Sequence, residues 1–378
     1  MGKYDDNFFE KKRVWSIIKD QILKDYLPAY ISKVKDLRRP IALIDGYAGP
    51  GNFEDGREGS PLIICSAAEQ YAKGNYSAYF FNIKKEYHDK LEATIRDKGW
   101  SYTASCYQKN SLKHIKEIPQ TLEDHTVFLY LDPFGLRGCG FDQLEPYLTR
   151  SSKYSTEIVL TMCMPVVHRL ATSNAVKRGQ TNKKNERYHQ TLSSVFGGDY
   201  WKDILYQDNI EAEEKELQLI EAYLAKLKQY LPYVGFCPVR KKSDGRIKYF
   251  IVFLSRHPGT MILMNDIMYK AYFSNMHKAD SKGTLFEVLD WEDMPLPEES
   301  NLKILGVIIE DLISRHPGET RDSIWLTLVQ ENFMRYNQKL YRDMLKKLSQ
   351  EKKINYIVDP ATKRHNGESK LFPIYSLL

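Results

Sequence analysis

Paired cysteines are missing from this chain. Cys65, Cys106, Cys139, Cys163 and Cys237 stand singly among 378 residues, with no CxxC and no histidine at ligand spacing, which argues against a disulfide framework or a structural zinc site. Long apolar runs are missing too: YFIVFL at 249–254 is among the longest, far short of the roughly 20 residues that span a bilayer. The N-terminal MGKYDDNFFE has no apolar core of a signal peptide, and Asp6 stands where a myristoylation site needs Ser or Thr. A cytoplasmic protein without a membrane partner is expected. No GxxxxGK[ST] or GxGxxG occurs, and no Ser/His/Asp or paired-carboxylate arrangement stands out. The net charge of +6 says little about partners by itself.

What is present is alternation. IALID (41–45), AYFFNI (78–83), YTASCYQ (102–108), TVFLYLDPFG (126–135) and EIVLTMCM (157–164) read as five strands. TVFLYL is apolar nearly throughout, as a strand buried on both faces should be. SPLIICSAAEQYAK and KEYHDKLEATIRDKG read as helices between the first three strands. Residues 8–35 space Trp15, Ile18, Ile22, Leu23, Tyr26 and Leu27 as one or two amphipathic helices. This order predicts an α/β fold, a parallel Rossmann-like sheet with helices on both faces. ELQLIEAYLAKLKQYL adds a helix and RIKYFIVFLSRHPG a further strand. WEDMPLPEES (291–300) reads as a linker. Three helical segments and two strands around Asn366 and Gly367 then follow, the order of a winged helix-turn-helix. The expected domains are 1–290, with an extension at about 165–290, and 301–378.

The turn DGYAGPG raises the functional question. Three glycines at the end of a buried strand cost conformational entropy, so something must approach the backbone closely there. Asp45, Gly46, Tyr47, Ala48, Gly49 and Gly51 resemble motif I of S-adenosylmethionine-dependent methyltransferases, in which bare backbone packs against the cofactor. A tight connection or a phosphate cradle would use the same residue types. At the end of the second strand, where that fold usually places an acid for the ribose hydroxyls, stands Asn82. It can accept and donate but brings no charge, and capping the next helix is its other reading. Asp132, Pro133, Phe134 and Gly135 resemble the DPPY-like tetrapeptide of nucleobase amino-methyltransferases, with Gly135 in place of the terminal aromatic. In those enzymes the acid and adjacent carbonyl hold the target amine and the ring stacks on the base. A plain turn also favours Pro and Gly at these positions.

DGYAGPGNFEDGREGSPL, FLYLDPFGLRG, TEIVLTMCM with Arg169 after it, FGGDYW and YFIVFLSRHPGTMILMNDIM together resemble the three-Cys-motif partner proteins, a prokaryotic family. The resemblance implies a methyltransferase-like Rossmann domain, a C-terminal winged helix, S-adenosylmethionine as cofactor and a partner with radical-like chemistry. The expected reaction is methyl transfer to an amino nitrogen on nucleic acid. A catalytically degenerate binding subunit and a nucleotide-binding enzyme are the alternatives. Between Pro165 and Val195 six Lys or Arg face one acid. Arg169, Lys177 and Arg178 could form a nucleic-acid lid there, with Tyr188 and His189 for stacking; a solvated basic loop is the plainer reading. Lys339, Arg342 and Lys346 on the last helix, and Lys363 and Arg364 at the wing tip, form a phosphate-contact set, although winged helices also dock proteins.

Overall fold

The computed structural model describes residues 14–108, 118–136, 138–171, 183–240, 245–281, 299–358 and 369–373. The chain divides into two compact units, Met1–His257 with Asn275–Asp280, and Pro258–Ser274 with Ser281–Leu378.

The first unit is built on a seven-stranded sheet. Its strands are β1 (Ile41–Asp45), β2 (Tyr76–Asn82), β3 (Ala104–Gln108), β4 (Thr126–Leu131), β5 (Thr156–Cys163), β6 (Tyr233–Arg240) and β7 (Ile247–Ser255), in the order β3-β2-β1-β4-β5-β7-β6. The first five are parallel, as their alternation with helices predicts. β7 runs antiparallel to both β5 and β6, so the sheet is mixed rather than wholly parallel. For β6 and β7 the reason is connection length: Arg240 and Ile247 are too close in sequence for the crossover that a parallel pair needs. β6 itself has no counterpart in the sequence reading. It contains Gly235, which weakens a strand, and Pro238, which cannot donate to a ladder and is tolerated at a sheet edge, and it forms that edge.

Helices cover both faces, giving a Rossmann-like α/β fold. α1 (Val14–Val34) runs as one helix through Pro28 and packs on one face, where Tyr26 meets Phe128 and Phe253 and Tyr30 meets Phe128. α2 (Ser60–Ala72) lies beside α1 and α3 (Lys85–Asp97) follows β2. On the opposite face Ala42, Ile44, Leu129, Leu160 and Val252 share one core with Tyr147, Leu192 and Tyr223 from the helices Phe141–Leu148, Lys183–Phe196 and Ala212–Leu227. Trp201 is wholly buried there. Gly197 ends Lys183–Phe196 at φ 66°, and a Cβ on it would come within 2.9 Å of the Phe141 ring, so its conformation and its packing both exclude a side chain.

In the second unit the helices Glu299–Arg315, Arg321–Glu331 and Gln338–Gln350 precede the antiparallel pair β8 (Ile354–Val358) and β9 (Ser369–Pro373). The wholly buried Asn265 on helix Pro258–Ser281 accepts from the Met334 amide at 2.7 Å and donates to the Tyr336 carbonyl at 2.9 Å. This anchors the turn into the third of these helices, which Asn337 caps by accepting from the Leu340 amide. The expected linker lies outside the described residues except for the start of Glu299–Arg315, as do Asn366 and Gly367. No described helix is long and apolar enough to cross a membrane.

Candidate active site

The strand order reverses direction between β1 and β4: the chain leaves β1 toward β2 on one side, while β4 and β5 lie on the other. The carboxyl end of such a switch point is where open α/β sheets form a crevice. The glycine turn and the DPFG segment leave these two neighbouring strands at that end.

The turn is stitched to both neighbours. The Gly46 amide donates to the Tyr130 carbonyl at 3.0 Å, extending the ladder toward β4, and the Ala48 amide donates to the Phe81 carbonyl at 3.1 Å. Asp45 accepts from the Tyr47 amide at 2.9 Å, a local bond that fixes the turn. The carboxyl of Asp45 is wholly buried, and burial pushes its pKa up to about 7, against the opposing influence of Ser60 and the Tyr47 amide. The nearby Asp132 and Asp20 push it further in the same direction.

Gly49 and Gly51 have φ of 66° and 90°, where L side chains are strained. A Cβ on Gly51 would stand 3.0 Å from Leu91 Cδ1 of α3 and 3.8 Å from Leu62 of α2, so its bareness answers to packing inside the protein. Gly59, the first residue of the GSPL that closes the quoted motif, donates to the Gly51 carbonyl at 2.6 Å, and a Cβ there would meet that oxygen at 2.8 Å. Asn82 is 5% exposed and donates to the Gly49 carbonyl at 2.9 Å. Its amide therefore supports the turn from β2, and the next helix takes no cap from it.

Beyond β4, the Gly135 amide donates to the Pro133 carbonyl at 2.8 Å with Gly135 at φ 113°. That backbone explains why no aromatic ends the tetrapeptide. Pro133 keeps one carbonyl lone pair for another donor. Phe134 is half exposed.

One cleft of about 250 Å³ unites the two segments, near the lower limit for small-molecule sites. Tyr47, Ala48, Gly49 and Gly51 line one side, and Asp132, Pro133, Phe134 and Gly135 another; Asp45, Gly46 and Asn82 lie behind the lining. Among the further lining residues, sequence reasoning missed Ser16, Lys19 and Asp20 from α1, Cys163 at the end of β5 and Val166 after it, and Lys248 and Tyr249 from β7. Lys19 is buried and donates to the Asp132 carboxylate, and its ammonium stands 5.2 Å from the centroid of the Tyr249 ring. One signal was legible: a lysine four residues from Trp15 and from Leu23 falls on the apolar stripe of α1, where a charge needs a partner.

Arg169 is exposed on the helix Met164–Ala171, whereas Lys177, Arg178, Lys363 and Arg364 lie outside the described residues. His189 is not free for stacking on a base: its ring packs edge-on against Trp201 at 5.2 Å and lies 3.3 Å from the Tyr206 hydroxyl. In the second unit Lys339, Arg342 and Lys346 are exposed on helix Gln338–Gln350, opposite the buried Leu340, Met344 and Leu348, and Lys346 pairs with Asp343 at 3.6 Å.

No protein-family model matches the sequence, and no curated protein matches it significantly. Among solved structures the fold is similar to a protein of Legionella pneumophila at 10% identity and TM-score 0.41, covering 70% of this chain and 94% of that one. It is similar to a candidate rRNA methylase of Clostridium thermocellum at 10% identity and TM-score 0.31, covering 61% and 94%. A third is an S-adenosylmethionine-dependent O-methyltransferase of Thermotoga maritima, at 11% identity and TM-score 0.26, covering 61% and 64%.

Proposed function

We propose that the chain is an S-adenosylmethionine-dependent methyltransferase acting on an amino nitrogen, with the acceptor carried on nucleic acid. The observation that carries this reading is the convergence of the bare Tyr47–Gly51 turn and the Asp132–Gly135 segment in one cleft at the switch point between β1 and β4. The residues there suit a nucleoside: main chain is approachable at Gly49, and Asp20 and Lys248 stand in the lining beside the Lys19–Asp132 pair.

S-adenosylmethionine would supply a methyl group already activated by its sulfonium, which leaves alignment as the protein's main task. Tyr47, Ala48, Gly49 and Gly51 hold the nucleoside, with Asp45 and Asn82 fixing their backbone from behind. Asp132 accepts an N–H of the acceptor amine, the Pro133 carbonyl accepts another, and Phe134 offers a ring face for stacking. In the second unit, three helices followed by two antiparallel strands support a winged helix-turn-helix. The exposed Lys339, Arg342 and Lys346 support contact with nucleic-acid phosphates. The resemblance to three-Cys-motif partner proteins extends the proposal to a radical-chemistry-like partner.

A second reading, a binding subunit that has lost catalysis, is favoured by Asn82, whose amide is engaged with Gly49 where the methyltransferase pattern has an acid. Calorimetry with S-adenosylhomocysteine and S-adenosylmethionine separates the two: saturable binding is expected, and no binding at millimolar ligand would favour the second. A thermal shift with ATP or GTP but not with S-adenosylhomocysteine would instead support a nucleotide enzyme.

A further inference from the structure

Lys19 is 7% exposed on the sheet-facing side of α1, yet that helix is held by apolar and aromatic contacts that need no cation. An ammonium withdrawn from water persists only beside a compensating charge, and the structure provides one in Asp132. The Tyr249 ring adds a weaker attraction.

The proposed reaction gives this pair a consequence. A carboxylate alone in a half-closed cleft stabilises whichever neighbouring group is positively charged. An amine held as its ammonium has no lone pair with which to attack a methyl group. With Lys19 in place, the carboxylate is already compensated: it can accept an N–H from a neutral amine while offering a cationic one little.

We propose that Lys19 is a specificity-determining residue, which by neutralising Asp132 restricts the acceptor to neutral, weakly basic amines such as the exocyclic amine of a nucleobase and discriminates against aliphatic ammonium groups. This inference rests on the methyltransferase reading of the same cleft.

The test uses the full-length protein and two ligands that differ at the reacting position. S-adenosylhomocysteine has nothing where the methyl group would be; sinefungin carries an amine there, protonated at neutral pH. Calorimetry gives the ratio of their affinities. In the wild-type protein sinefungin gains little over S-adenosylhomocysteine. Lys19→Met raises sinefungin's relative affinity about tenfold or more, because Asp132 is now uncompensated. Lys19→Arg, which keeps the charge, restores the wild-type ratio, and adding Asp132→Asn to Lys19→Met abolishes the gain. A purely structural role for Lys19 would weaken both ligands together and leave the ratio unmoved, as would any general loss of stability. An unchanged ratio in Lys19→Met with S-adenosylhomocysteine still bound would overturn the inference. Failure of either ligand to bind the wild-type protein would instead remove the methyltransferase reading beneath it.

Discussion

Replacing Asp45 by asparagine should make the protein's stability less dependent on pH, in a direction and amount the site dictates. Asp45 is wholly buried, and its pKa is raised from 3.8 to about 7 chiefly by burial. The folded state therefore holds a proton that the unfolded state has released over the window from about pH 4 to about pH 7. Stability falls as pH rises through that window and loses nothing more from this group above it. At 1.36 kcal/mol per pKa unit, the cost works out at about 1 kcal/mol at pH 4.5 and about 4 kcal/mol at pH 8. The amide introduced by Asp45→Asn would keep an acceptor for the Tyr47 amide but has no proton to lose. Urea unfolding of both proteins at about pH 4.5 and pH 8 should thus show the variant gaining about 3 kcal/mol on the wild type between the two conditions. Other titrating groups are common to both proteins and cancel in the difference. A difference independent of pH would show that Asp45 ionises as an ordinary carboxylate, and the picture of a dry anchor beneath the turn would be wrong.

Three further outcomes are expected. Tyr26 donates its hydroxyl proton to the wholly buried Glu157, so Tyr26→Phe should lower unfolding stability by about 1–3 kcal/mol without altering ligand affinity in calorimetry. Gly51→Ala forces a left-handed conformation and presses on Leu91; a loss of about 1–3 kcal/mol is expected, read as a lower melting temperature together with weaker S-adenosylhomocysteine binding. Arg342→Ala with Lys346→Ala should weaken nucleic-acid binding and flatten its dependence on salt by about one to two units of log–log slope, measured by fluorescence anisotropy, whereas equal salt slopes would remove this helix from the interface.

Much of the sheet was legible because burial leaves a mark on composition. β1 and β4 have no polar interior, and such runs can only be covered on both sides. The acid-and-glycine turn after β1 and the DPFG after β4 also announced themselves, and the switch point brings them together. β6 was hidden by its own position: an edge strand tolerates Gly235 and Pro238, and those residues disguise it. The Lys19–Asp132 pair spans 113 positions, and no local periodicity encodes which buried charge meets which. Gly51 carried the right signal for a partly different reason, since Leu91 crowds it from within. Asn82 had two readings, a ligand contact and a cap for the next helix; its amide holds the Gly49 carbonyl, and the next helix takes no cap from it.

A sulfonium nucleoside seated in the crevice between Tyr47–Gly51 and Asp132–Gly135 should be visible in a crystal structure of the protein with S-adenosylhomocysteine. Ligand density is expected against the Gly49 main chain, with Asp132 beside the sulfur end; density elsewhere, or a crevice that stays empty at saturating ligand, would overturn the proposed function.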